Sequence, residues 1–118
     1  MDKNFDANKA KQFLEAKESA EKDARESERQ RILTVLLDSA KVIFSQTTGV
    51  EVYLVGSLTQ PYMFYPHSDV DIVLKNFNGD RFDVWTKFET AIKRNVEIII
   101  FENCHFQDYI IRNGHRIL

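Results

Sequence analysis

The chain has 118 residues, the length of one domain, with 43% hydrophobic and 29% charged residues, as in ordinary globular proteins. A formal net charge of -2 argues against nucleic-acid or membrane binding through bulk charge, and no apolar run reaches the roughly 20 residues that span a bilayer. The single cysteine, Cys104, excludes an internal disulfide, and the Asp/Lys/Glu-rich start does not read as a secretory signal, so a cytoplasmic protein is expected.

Residues 1–30 are rich in Lys, Glu, Ala, Arg and Ser from about Ala7 onward, with Phe13, Leu14 and scattered alanines as the few apolar side chains. Helix propensity is high there and amphipathicity is low, so a charged helical extension is expected, marginal in isolation. The domain proper is expected over residues 31–118. Ile32, Leu33, Val35, Leu36, Ala40, Val42, Ile43 and Phe44 recur at helical spacing, and the helix should stop near Thr47-Thr48-Gly49. Val50 to Val55 alternates and is β-branched, which predicts a strand running straight into Gly56-Ser57. The irregular segment from Leu58 to Ser68 holds both prolines and precedes a second strand that reaches about Lys75. Asn76 to Gly79 reads as a turn, and Asp80 as the N-cap of a helix from Arg81 to about Lys93 that buries Phe82, Val84 or Trp85, Phe88 and Ile92. Val96 to Phe101 predicts a third strand, Phe106 to Arg112 a short helix closed by Asn113-Gly114, and Arg116 to Leu118 a final short strand. The expected fold class is α/β (α+β): a small mixed β-sheet of three to five strands flanked by helices. The core from Arg31 on makes only a marginal domain, so a protein partner or a homo-oligomer would help it.

Chemistry concentrates in Ser68-Asp69-Val70-Asp71-Ile72-Val73-Leu74. On a strand, side chains alternate faces, so Asp69 and Asp71 share one side. Two like charges on one face repel, and a divalent cation gives a reason to place them there. Mg²⁺ takes oxygen ligands, usually one or two carboxylates together with substrate phosphates. A third acid, Glu97, lies in the greasy run Val96-Glu97-Ile98-Ile99-Ile100. A carboxylate inside a buried strand is costly unless compensated, so Glu97 is expected beside the aspartates in a two-metal site. Gly56-Ser57, at a strand end, offers backbone N–H groups and a hydroxyl to a phosphate, with no Cβ to block the approach.

Gly56-Ser57, an intervening loop and then Ser68-Asp69-Val70-Asp71 resembles the Gly-Ser … Asp-x-Asp signature of the DNA polymerase β-like nucleotidyltransferase superfamily. The short chain and the placing of Glu97 are similar to its minimal nucleotidyltransferases (MNT). The resemblance covers roughly Ile32 to Leu118, including the ending from Asp108 to Leu118, and leaves residues 1–30 unexplained. It implies a polymerase β-like nucleotidyltransferase fold and transfer of a nucleoside monophosphate, AMP from ATP, to an acceptor hydroxyl, with two Mg²⁺ as cofactor. Asp69, Asp71 and Glu97 would be the catalytic metal ligands, and Glu97 the general base. Gly56 and Ser57, with Ser68, would hold the nucleotide. For the minimal group it further implies an antitoxin role, in which a tyrosine of a HEPN-type RNase toxin is the acceptor.

Two departures stand out. Where the family commonly continues Gly-Ser with Arg-Ala-Arg-Gly, this chain has Leu58-Thr59-Gln60-Pro61, and its loop is one residue longer and aromatic at Tyr62, Phe64 and Tyr65. The aromatic loop suits either stacking against a base or contact with a partner, and a simply packed loop is the bland alternative. A binding module that scaffolds a partner protein without catalysis is therefore the second reading. His67 fits a plain loop histidine, Ser68 a turn residue, and Cys104-His105 lacks companions at zinc spacing. The balanced charge offers no template channel for DNA.

Overall fold

A computed structural model describes residues 6–118 of the chain. The first helix, α1 (Ala7–Ile43), starts at Asp6, whose carboxylate accepts hydrogen bonds from the N–H groups of Asn8 at 2.9 Å and Lys9 at 3.1 Å. Its 37 residues make a rod about 55 Å long. Arg29, Ile32, Leu36 and Ala40 line its buried stripe, so burial begins only in the second half. Phe13 and Leu14 are exposed. The change of pattern at Arg31 is therefore a change in what the helix packs on, and the backbone continues through it unbroken. The helix ends at Ile43, a few residues before Gly49, where φ is +81°.

The remaining order is β1 (Glu51–Val55), a 3-10 turn over Gly56–Thr59, β2 (Val70–Lys75), α2 (Arg81–Ile92), β3 (Val96–Ile100), a second 3-10 turn over Phe101–Asn103, α3 (Gln107–Asn113) and β4 (His115–Arg116). The four strands form one mixed sheet in the order β3-β2-β1-β4. β1 runs antiparallel to β2 and β4, and β2 runs parallel to β3. A parallel pair needs a crossover, and α2 supplies it. Asp80 caps α2 as its sequence position predicts, accepting from Phe82 N–H at 2.9 Å and Asp83 N–H at 3.3 Å. The helix stops at Lys93, which turns left-handed with φ 57°.

Val52, Leu54, Val70, Ile72, Leu74, Val96 and Ile98 point to the face covered by α1 and α2, and build one core with Ile32, Leu36, Phe88 and Ile92. The opposite face carries a smaller cluster of Tyr53, Val55, Val73, Phe101 and Ile110, roofed by α3. α3 has seven residues and covers only part of that face. Gly114 closes it, and a Cβ there would collide with the Ile110 carbonyl oxygen.

Two packing expectations need correction. Phe82 is exposed, because the stripe of α2 that meets the sheet is Val84, Phe88 and Ile92 at intervals of four, and Phe82 falls off it. Glu97 is also exposed. Its strand is the sheet edge, and its side chain stays exposed among the described residues, so the burial cost assigned to it from the sequence does not arise. The outward edge of β3 is instead closed by α2: Trp85 Nε1 donates to Val96 O at 2.8 Å, Arg81 donates to Ile98 O, and Glu89 accepts from Val96 N–H at 3.0 Å.

Candidate active site

The register places Val55, Asp71 and Glu97 in one row across β1, β2 and β3. Paired residues of neighbouring strands project from the same face, so the Asp71 and Glu97 carboxylates stand side by side on the face that α3 only partly roofs. Asp69 lies just before β2, exposed at the mouth of the row. The alternation that puts Asp71 on this face sends Val70 and Ile72 into the helix-covered core.

Asp71 carries the electrostatic cost of the arrangement. It is half-buried, and its carboxyl is pushed up from 3.8 to about 6, first by burial and then by Glu97, close enough for charge repulsion and a shared hydrogen bond, with Asp69 adding a smaller repulsion. Desolvation thus falls on Asp71, the central-strand acid, and not on Glu97 as the greasy run around Glu97 suggested.

Gly56 adopts φ +77°, a conformation that favours glycine. A Cβ on it would stand 2.8 Å from Asp71 Oδ2, so the Gly-Ser backbone lies directly against this carboxylate. The turn is held by Thr59, whose hydroxyl donates to Gly56 O at 2.7 Å. Leu58 is fully buried in the main core, which explains an apolar residue at that point of the loop. Ser68 Oγ accepts from Tyr65 N–H at 3.0 Å, the turn role weighed for it from the sequence.

The loop from Leu58 to Ser68 is held by charged side chains from outside it. Arg29, 7% exposed, donates to Leu58 O at 3.0 Å and pairs with Glu26 at 2.7 Å. Glu26 accepts in turn from Tyr62 N–H at 2.9 Å, and Arg25 donates to Tyr62 O at 3.2 Å. Arg94 donates to Tyr65 O at 3.0 Å and Ser68 O at 2.7 Å. Two of these cations, and Lys22 besides, lie over the aromatic rings: Lys22 4.9 Å from Tyr62, Arg25 4.4 Å from Tyr65 and Arg94 4.4 Å from Phe64, which is itself buried in the core. His67 stacks on Tyr65 at 5.9 Å. Sequence reasoning missed Arg25, Glu26, Arg29 and Arg94 as determinants of this region. The one available signal was the Glu26/Arg29 spacing of three, which marks a helix-surface pair and says nothing of a loop 29 or more residues away.

The donor set suits a hard cation: three carboxylates and no sulfur or nitrogen. The backbone register assembles two of them, Asp71 and Glu97, and their repulsion is what a divalent ion would relieve. Among the described residues no group of three or more His, Cys, Asp or Glu is placed to hold a metal ion as it stands. Nor is any helix among them long and apolar enough to cross a membrane.

No protein-family model matches the chain. No curated protein matches it. Among solved structures, a chain from a mutant of the toxin-antitoxin complex MntA-HpeT superposes with TM-score 0.50 at 16% identity, covering 76% of this chain and 71% of that one. A chain from the toxin-antitoxin complex MntA-HepT gives TM-score 0.45 at 16% identity, over 77% of this chain and 69% of that one. At such identity the first likeness speaks for the fold alone: a small mixed sheet flanked by helices.

Proposed function

We propose that this chain is a Mg²⁺-dependent nucleotidyltransferase that moves AMP from ATP to an acceptor hydroxyl on a partner protein. The observation that carries the reading is the row Asp71–Glu97, with Asp69 at its mouth and the Gly56 backbone against Asp71. A sheet has no structural use for such a row. Asp69, Asp71 and Glu97 would hold the ion. Mg²⁺, when bound, would supply Lewis-acid polarisation of the phosphate oxygens.

The chain's own groups account for the remaining roles. Backbone N–H groups around Gly56 and the Ser57 hydroxyl donate to phosphate oxygens, with Ser68 framing the far side of the loop. Glu97, exposed on the edge strand, is open to an acceptor and takes the proton of its hydroxyl. The acceptor oxygen then forms its bond to the α-phosphorus as pyrophosphate leaves. Without the ion the Asp71 carboxyl is raised to about 6, so the proton it holds below that value competes with Mg²⁺ for the site.

The partner we favour is a HEPN-type toxin, with a tyrosine hydroxyl as acceptor. This follows from the resemblance of the motif to minimal nucleotidyltransferases, and it accords with the toxin-antitoxin complex that shares the fold. The second reading, a scaffold that binds its partner without catalysis, is favoured by Leu58, which is core where the family pattern is basic.

Calorimetry with ATP and Mg²⁺ separates the two. The enzyme reading expects binding heat that Asp69→Asn abolishes, and label from ATP on the partner. Absence of binding, with Asp69→Asn indistinguishable from the parent, would leave the scaffold.

A further inference from the structure

We propose that the Glu26–Arg29 pair of α1 is a positioning device for the candidate site: it fixes loop 58–68, and with it the placing of Gly56-Ser57 relative to Asp69 and Asp71. The inference rests on the reading of that site given above. It also joins two features that the motif leaves unexplained, the charged extension and the aromatic loop.

Leu58 and Phe64 anchor the loop in the main core, but its polar backbone is poor in internal support. It holds two prolines, and its own backbone hydrogen bonds are short-range, such as Gln60 N–H to Ser57 O at 3.1 Å, Met63 N–H to Gln60 O at 3.2 Å and Ser68 N–H to Tyr65 O at 3.0 Å. Away from these two anchors the backbone has many conformations of similar energy. Glu26 and Arg29 remove that freedom at two separated points, the Tyr62 amide and the Leu58 carbonyl. Each partner of the pair orients the other, since Arg29 gives Nε and Nη2 to the two Glu26 oxygens at 2.7 and 2.9 Å and keeps Nη1 for Leu58. Leu58 lies two residues beyond Gly56, which itself abuts Asp71. At the other end Arg94 grips the Ser68 carbonyl, one residue before Asp69. The loop is therefore clamped next to both halves of the site. The loop itself, residues 58–68, carries no lysine or arginine that could take this role.

The test uses the full chain, with amide exchange over residues 58–69 read beside ATP–Mg²⁺ calorimetry. Glu26→Gln keeps the shape and removes the charge. Loop exchange should rise about ten- to a hundredfold, the weight of a hydrogen bond to a charged group, while β1 and β2 amides keep their protection. ATP–Mg²⁺ affinity should fall with it. Reversing the pair, Glu26→Arg with Arg29→Glu, restores the ion pair on the helix but offers the Tyr62 amide no acceptor and the Leu58 carbonyl no donor in the same places, so the loop should stay loose.

Unchanged loop exchange in Glu26→Gln would overturn the proposal. So would native loop protection in the reversed pair, which would reduce Glu26–Arg29 to a helix-stabilising contact. A loosened loop with undiminished ATP–Mg²⁺ affinity would refute the link to the site. If the parent protein binds no ATP–Mg²⁺ at all, the functional reading falls, and with it the link to the site, while the exchange data still decide whether the pair holds the loop.

Discussion

Replacing Asp71 by asparagine should stabilise the metal-free protein. The carboxyl is raised from 3.8 to about 6 in the folded chain. At 1.36 kcal/mol per unit, that shift sets an upper bound of about 3 kcal/mol against folding once the group is ionised. Because the carboxylate sits on a partly open face, solvent screening leaves a cost on the order of 1–2 kcal/mol. The sign follows from linkage. A carboxyl with a raised folded value binds its proton more tightly when folded, so stability is greatest at low pH and is lost as pH rises from about 4 to 6. The asparagine side chain would mimic the neutral form and avoid the loss. For a chain of this size the expected gain in Tm is about 4–8 °C at pH 7.5, and little at pH 4. Thermal melts in EDTA at the two pH values measure it, with Asp69→Asn, exposed at the mouth, as the comparison that should gain less. An unchanged or lower Tm at pH 7.5, or an equal gain at both pH values, would show that Asp71 is not a strained acid. Strain of this kind marks residues kept for function at the expense of stability.

Gly56→Ala should cost about 1–2 kcal/mol from its left-handed backbone alone, and more as the new methyl presses on Asp71 Oδ2; a urea midpoint equal to the parent's would contradict this. Phe88→Ala should remove about 3–5 kcal/mol, since Phe88 is fully buried against Phe44, whereas Phe82→Ala should stay within about 0.5 kcal/mol; equal chemical-denaturation shifts for the two would refute the placing of α2. Glu26 is held down to about 2 chiefly by its hydrogen bonds from Arg29 and Tyr62, so its contribution is complete above the usual 4.5 and fades as pH falls toward 2; a carboxyl NMR titration with an ordinary midpoint would deny those bonds.

Much of the fold was legible because its elements carry local signals. Asp80 announced the start of α2, the alternation in Glu51 to Val55 announced β1, and Asp69-Val70-Asp71 fixed which face of β2 was polar. The residues of the candidate site were likewise visible as residue types out of keeping with their surroundings. Burial was less legible. Phe82 and Glu97 were both misjudged, because hydrophobic neighbours in sequence do not say whether a position faces a helix or the sheet edge. The continuity of α1 was also hidden. Its charged half looks like a solvated helix until the loop it meets is in place.

By itself the sequence determined the chemistry available: two acids on strands and a third just before one, a glycine-serine turn ahead of them, and no lysine or arginine in the segment that joins the two. These are properties of residue type and of the two-residue period of a strand. Tertiary structure alone decided that Asp71, and not Glu97, bears the cost of burial, because that depends on the strand order β3-β2-β1-β4 and on how far α3 reaches. It decided equally that Glu26 and Arg29 hold a loop far along the chain, since contacts across such separations follow from packing and leave no periodic trace in the sequence.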